Sequence, residues 1–138
     1  MPTTLPVRLS PGQDLRQALE AAVAAERCQA AFVLGGIGSL SHAEIRYAGA
    51  TASRSVTGDL EILTLSGTIA SNGSHLHASL ADAHGRVSGG HVALGCIVRT
   101  TAEVLIALLD DDDWHFSREH DEATGYAELV PRRRSIPR

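Results

Sequence analysis

Four of the chain's seven histidines fall within GSHLHASLADAHGRVSGGH, residues 73–91. His75 and His77 are two positions apart, and side chains two apart on a strand share a face. Asp82-Ala83-His84-Gly85 reads as a type I turn with glycine in the left-handed position, a common three-residue hairpin loop. If the loop is Ala83 to Gly85, Asp82 faces Arg86, and counting back along both strands sets His77 opposite His91. His75 is then the diagonal neighbour on the same face. Directly opposite Cβ atoms lie about 5 Å apart and diagonal ones about 7–8 Å. Three imidazoles on that triangle can converge on one ion at metal–nitrogen distances of about 2.0–2.1 Å. A bulge at Gly89-Gly90 would break the register. The competing reading is a histidine-rich hairpin that holds no ion.

Three neutral imidazoles favour zinc, with iron, nickel or copper also compatible. Three protein ligands leave at least one coordination position open, the pattern of catalytic rather than closed structural zinc. Water on such an ion has a lowered pKa and can serve as base or nucleophile. Glu61, at the start of the preceding strand, and Glu44, on an earlier one, are candidates to complete the shell; each also reads as a surface charge. Arg99, on the strand after the hairpin, is a candidate to orient a ligand and otherwise reads as a structural ion pair. His84 sits at the turn tip, and His42, His115 and His120 carry no assigned role.

These side chains need a sheet to position them, and the chain supplies one. Residues 5–9 alternate weakly as a short strand. Asp14 can cap a helix over DLRQALEAAVAAERC, in which Leu15, Ala18, Leu19, Ala22 and Val23 fall at helical spacing. Residues 30–34 read as a buried strand, GGIGS at 35–39 as a glycine-rich turn or close chain approach, 42–50 as a strand, and 51–59 as a loop. GGIGS is not a dinucleotide fingerprint, because a strand rather than a helix follows it. ILTLSGTIA at 62–70 is a strand, and Ser71-Asn72-Gly73 is a turn signal. Residues 96–110 form one long strand or two short ones, apolar enough to be buried between subunits. WHFSRE and YAELV suggest edge strands. The expected fold is α+β: a mostly antiparallel sheet with one main helix packed on it, as a single domain over residues 1–130, followed by a basic, disordered tail at 131–138.

Composition bounds the function. At 138 residues the chain can bury a core without disulfide or metal staples. A net charge of −4 argues against a strongly basic, general nucleic-acid binder. Every positive side chain is an arginine, and Arg132, Arg133 and Arg134 concentrate three of them near the end, where a flexible arm could reach phosphates or a narrow minor groove. The four aspartates at 110–113 read as a solvated loop. No apolar run approaches the roughly 20 residues of a membrane helix, and the first residues lack a signal-peptide pattern. Two cysteines, Cys28 and Cys96, read as reduced, buried thiols, so a cytoplasmic setting is expected.

The stretches GGIGSL, EILTLSGTIA and GSHLHASLADAHGRVSGGHVALGCIVRTTAEVLI resemble the plants and prokaryotes conserved (PPC) domain family, with further similarity in VRLSPGQDLRQAL and FSREHDEATGYAEL. The resemblance spans about residues 5–130, and its most specific motif is G-S-H-L-H followed by G-G-H. It implies an α+β domain that assembles as a homotrimer, with His75, His77 and His91 able to hold a metal. It also implies a DNA-associated role, although the R-G-R-P core of the plant members' AT-hook is absent. A more distant similarity links the histidine pattern to the zinc site of α-acetolactate decarboxylase. Three functions follow as alternatives: a DNA-associated regulatory module, a small metal-dependent enzyme or small-molecule binder, and a metal-free structural hairpin.

Overall fold

A computed structural model describes residues 3–109 and 113–134. The elements run β1 (Thr3–Leu9), α1 (Leu15–Ala25), β2 (Ala30–Arg46), β3 (Arg54–Ala70), β4 (Gly73–Ala81), β5 (Val87–Val92), β6 (Ile97–Leu108), β7 (Trp114–Asp121) and β8 (Tyr126–Arg133). Six strands form one antiparallel sheet in the order β1-β6-β2-β3-β4-β5, and β7 pairs with β8 in a second, two-stranded sheet. This is the expected antiparallel α+β arrangement with one helix. The far end of the large sheet also curls back on itself. Ile45 and Arg46 of β2 pair with Val92 and His91 of β5, although the two strands lie three places apart in the order.

The helix begins where the sequence indicates. Asp14 is extended, and its Oδ1 accepts the N–H of Gln17 at 2.9 Å, which satisfies one of the orphan donors of the first turn. Its Oδ2 accepts the N–H of Gly95 at 2.7 Å, so the same carboxylate ties the helix to the approach of β6. Leu15, Leu19 and Val23 recur at helical spacing and are buried in one core cluster with Leu76 and Leu80 of β4 and Ile106 of β6, strands that the helix packs on. Burying each such side chain stabilises the fold by about 1.5–3 kcal/mol.

Three expectations change. The GGIGS segment is not a turn: β2 runs through it for seventeen residues, with register shifts against β6 between Val33 and Gly35 and between Gly38 and Leu40. Glycine permits close approach there instead. A Cβ on Gly38 would lie 2.4 Å from the carbonyl oxygen of Thr101. The loop expected at 51–59 is shorter, because β3 begins at Arg54. The tail is also shorter. Pro131 to Arg133 belong to β8 and pair with Phe116, His115 and Trp114, because that register gives their backbone a partner strand. Residues 135–138 and Asp110 to Asp112 lie outside the described residues.

The β7–β8 hairpin is docked rather than added at a sheet edge. Ser71 donates its N–H and its hydroxyl to the carbonyl of Phe116. The Asn72 side chain grips the next residue but one: its Oδ1 accepts the N–H of Arg118 at 2.6 Å and its Nδ2 donates to the Arg118 carbonyl at 2.9 Å. Phe116 fills a small separate core with Ala30 and Ala70.

Candidate metal centre

The histidine hairpin forms in the expected register. Asp82 donates its N–H to the Arg86 carbonyl, and Gly85 donates to the Asp82 carbonyl, each at 2.9 Å. The Asp82 Oδ1 accepts from the N–H groups of His84 and Arg86, and Gly85 takes φ 76°. From that loop the pairing counts Ala81 with Val87 through to His77 with His91, and Gly89 and Gly90 stay in step. Alternation along β4 buries Ser74, Leu76, Ala78 and Leu80 and turns His75 and His77 to the opposite face.

The three rings converge. His75 and His77 centroids are 4.7 Å apart, His75 and His91 5.1 Å, and His77 and His91 6.0 Å. One ligand atom from each lies within 4.8 Å of the others, and the Nε2 atoms of His75 and His77 are 3.0 Å apart. Tetrahedral zinc at about 2.0–2.1 Å asks for nitrogen pairs about 3.3 Å apart, so modest side-chain rotation suffices. The Nδ1 of His91 is buried without a hydrogen-bond partner. Burial holds His91 well below the usual imidazole range, at about 4, with the Arg46 guanidinium the next contribution. Burial, then the proximity of His77 and Arg118, lowers His75 as well. Both rings are therefore kept in the neutral form that ligates a metal. An orphaned ring nitrogen beside two converging imidazoles fits the donor set of a divalent ion.

The other nominated residues are not brought to the histidines. Glu61 and Arg99 approach each other at 3.8 Å, and Arg99 also faces Asp59 at 3.6 Å. Glu61 is five residues along β3 from Ser66, the partner of His77, or about 16 Å away. The bland reading of Arg99 as an ion-pair residue describes its position. Glu44 is taken by His42 at 2.8 Å and by the hydroxyls of Ser53 and Ser55. Those hydroxyls donate to the carboxylate and not to the imidazole, so this cluster is no nucleophile–base pair. The late arginines also have partners: Arg132 bridges to Glu119, Arg133 lies 5.6 Å over the Trp114 ring, and Arg134 donates to Gln29 at 3.1 Å.

Sequence reasoning missed three arginines. Arg16 of α1, Arg46 of β2 and Arg118 of β7 line one cleft of about 630 Å³ together with His75 and His91. Arg46 arrives through the β2–β5 pairing and Arg118 through the Asn72 grip; no local motif announces either.

Comparison with known proteins places this geometry. The chain is 48% and 49% identical, over 124 residues, to two Synechococcus proteins named Bifunctional protein GlmU. It spans about a fifth of the length of those relatives, covering 19% and 20% of them and 90% of itself. A hypothetical protein from Salmonella is 38% identical, with a TM-score of 0.92, 98% of this chain covered and 96% of that one. A metal-containing protein from Archaeoglobus fulgidus is 26% identical, with a TM-score of 0.80 and 93% of each chain covered. A candidate DNA-binding protein from Bacteroides thetaiotaomicron, 17% identical over 94% of this chain and 91% of its own at a TM-score of 0.79, shares the fold. The model of the Plants and Prokaryotes Conserved domain, abbreviated PCC or PPC, matches residues 2–110, and the chain belongs to that family.

Proposed function

We propose that this chain is a metal-binding PPC domain in which His75, His77 and His91 hold one divalent ion, zinc being the metal that suits three neutral imidazoles. The observation that carries the reading is the convergence of those three rings, one with an orphaned nitrogen. The metal-containing relative supports it. The three histidines would hold the ion and leave a position open, and a bound zinc supplies Lewis acidity and a water of lowered pKa. We read the domain first as a binding module. Its setting is DNA-associated regulation by a homotrimer. For the trimer the support is apolar surface on the central strands: Leu34 and Ile37 are 58% and 57% exposed, beside Leu63 and Leu105. Strand β6, expected to supply that surface, spends most of its apolar side chains inside its own chain. Support for DNA contact is the family setting and the arginines at 132–134.

The second reading is a small metal-dependent enzyme or small-molecule binder. The arginine-lined cleft that includes His75 and His91 favours it.

Elemental analysis of protein prepared without an affinity tag tests the metal. About one zinc per chain is expected, lost in His77→Ala with the circular-dichroism spectrum and melting behaviour of the fold retained. Absence of metal from the parent protein refutes the reading. For DNA, affinity that falls steeply with salt and weakens in Arg133→Gln/Arg134→Gln is expected. Truncation at 130 is the poorer test, since it removes three residues of β8.

A further inference from the structure

We propose that the cleft beside the histidines is a binding site for a small oxyanion, a carboxylate or a phosphate, held by the guanidinium groups of Arg16, Arg46 and Arg118. Three different elements, a helix and strands of two separate sheets, each deliver one of these arginines to the same cavity. Like charges brought together in this way repel unless something negative lies between them. The cavity wall contributes one carboxylate, Glu128, and Glu20 pairs with Arg16 at 3.1 Å, so three guanidiniums face two carboxylates. That local excess of positive charge stands in a chain whose net charge is −4.

The hydrogen-bonding capacity is also unspent. A guanidinium has five N–H donors. Among the described residues, Arg16 donates from Nε to Glu20 at 3.1 Å, Arg46 from Nη1 to the Ala50 carbonyl at 3.3 Å, and Arg118 from Nη2 to the Thr68 hydroxyl. Arg118 Nε is buried with no partner. Desolvation holds the Arg118 guanidinium below the ordinary arginine range; Glu128 opposes that and Arg16 adds to it. An oxyanion in the cleft accepts from the free edges of these groups and neutralises them. Carboxylate and phosphate share that chemistry, because both match the planar fork of arginine.

The size and shape select a small ligand over a polymer. A cavity of about 630 Å³ falls in the range of small-molecule sites, about 300–1,000 Å³. The positive groups line one cavity, whereas a duplex is contacted by charge spread along a surface. The inference deepens the metal-centre reading, since His75 and His91 line the same cavity as the arginines. The guanidiniums nonetheless line the cleft with or without an ion.

Calorimetric titration with inorganic phosphate and with malonate, on zinc-loaded and on chelator-treated protein, tests it. Glycerol is the uncharged control. Binding of one or both anions is expected, the stronger naming the ligand class. Arg118→Met and Arg46→Met should each weaken it about 10-fold or more, while Arg99→Met leaves it unchanged. Each single variant is checked for fold by circular dichroism, so no conclusion hangs on a double variant. Anion binding that survives metal removal and depends on the arginines supports the site even if no metal is found in the parent protein. No binding of either anion to either form overturns the proposal, as does binding that follows the metal and ignores the arginines. A duplex oligonucleotide that binds more tightly than both anions and loses that binding in Arg118→Met makes the cleft a nucleic-acid contact and equally overturns it.

Discussion

Gly67 is the position where the strand before the histidines is least able to carry a side chain. It pairs with Leu76, between the two histidines of β4, and takes φ +149°. A Cβ placed there would lie 2.0 Å from the carbonyl oxygen of His75 and 2.8 Å from Cα of Leu76. Both obstacles are backbone, so the strand carrying the histidines must shift by more than an ångström to reach ordinary contact. The unfavourable φ costs about 1–3 kcal/mol, and overpacking costs about 1–3 kcal/mol more. Gly67→Ala should therefore destabilise the fold by about 4 kcal/mol, which lowers the melting temperature of a chain of this length by about 10–20 °C. Gly35→Ala is the internal control. Gly35 has no positive φ and nothing within 4 Å of an added Cβ, so it should change stability by less than about 1 kcal/mol in either direction. Thermal and urea unfolding of the metal-free proteins measure both. Zinc affinity of Gly67→Ala, measured below its transition, should also fall, because the displaced carbonyl is that of His75, one of the three proposed ligands. A Gly67→Ala protein that melts within about 3 °C of the parent would show that β3 and β4 are not held as closely as described.

Asp14 caps α1 and ties Gly95 to it. Asp14→Ala should cost about 2–3 kcal/mol by urea titration, more than the about 1 kcal/mol of a simple cap, and Asp14→Asn should recover part of it. His91, held at about 4, links stability to pH in the metal-free protein. The unfolded chain takes up its proton near 6.5 and the native one near 4, so stability falls as pH drops through that window and levels off below it. The half-buried ring keeps the loss well under the about 1.4 kcal/mol per pKa unit of full burial. The difference between parent and His91→Gln unfolding curves at successive pH values isolates it, and NMR titration of His91 near 6.5 would refute the placement.

What the sequence made legible was local. The hairpin register followed from a turn whose chemistry is written in four residues, and alternation then put His75, His77 and His91 on one face. Asp14 announced the helix by its side chain. The path of β2 was not legible, because glycines that permit close approach of β6 look the same in sequence as glycines that make a turn. The arginines of the cleft were hidden for another reason. Arg46 depends on a pairing between strands separated by two others, and Arg118 on a side-chain amide bonded to a strand 46 residues away. Neither leaves a periodic trace. Glu61 and Arg99 were nominated for lying near the hairpin in sequence, and the sheet order sends them to each other instead.

The Asn72 grip has a consequence for how such a site is assembled. An asparagine side chain offers one donor and one acceptor, as a peptide unit does, and here it serves Arg118 as a one-residue stand-in for a neighbouring strand. The hairpin that carries Arg118 thus plugs into the six-stranded sheet through a turn and the buried side chain of Phe116. The family model ends at residue 110, so it contains the histidines and that socket but not the plug. The histidines and the socket thus lie within the family's matched core, whereas Arg118 reaches the same cavity on a hairpin held to that core by a side-chain amide.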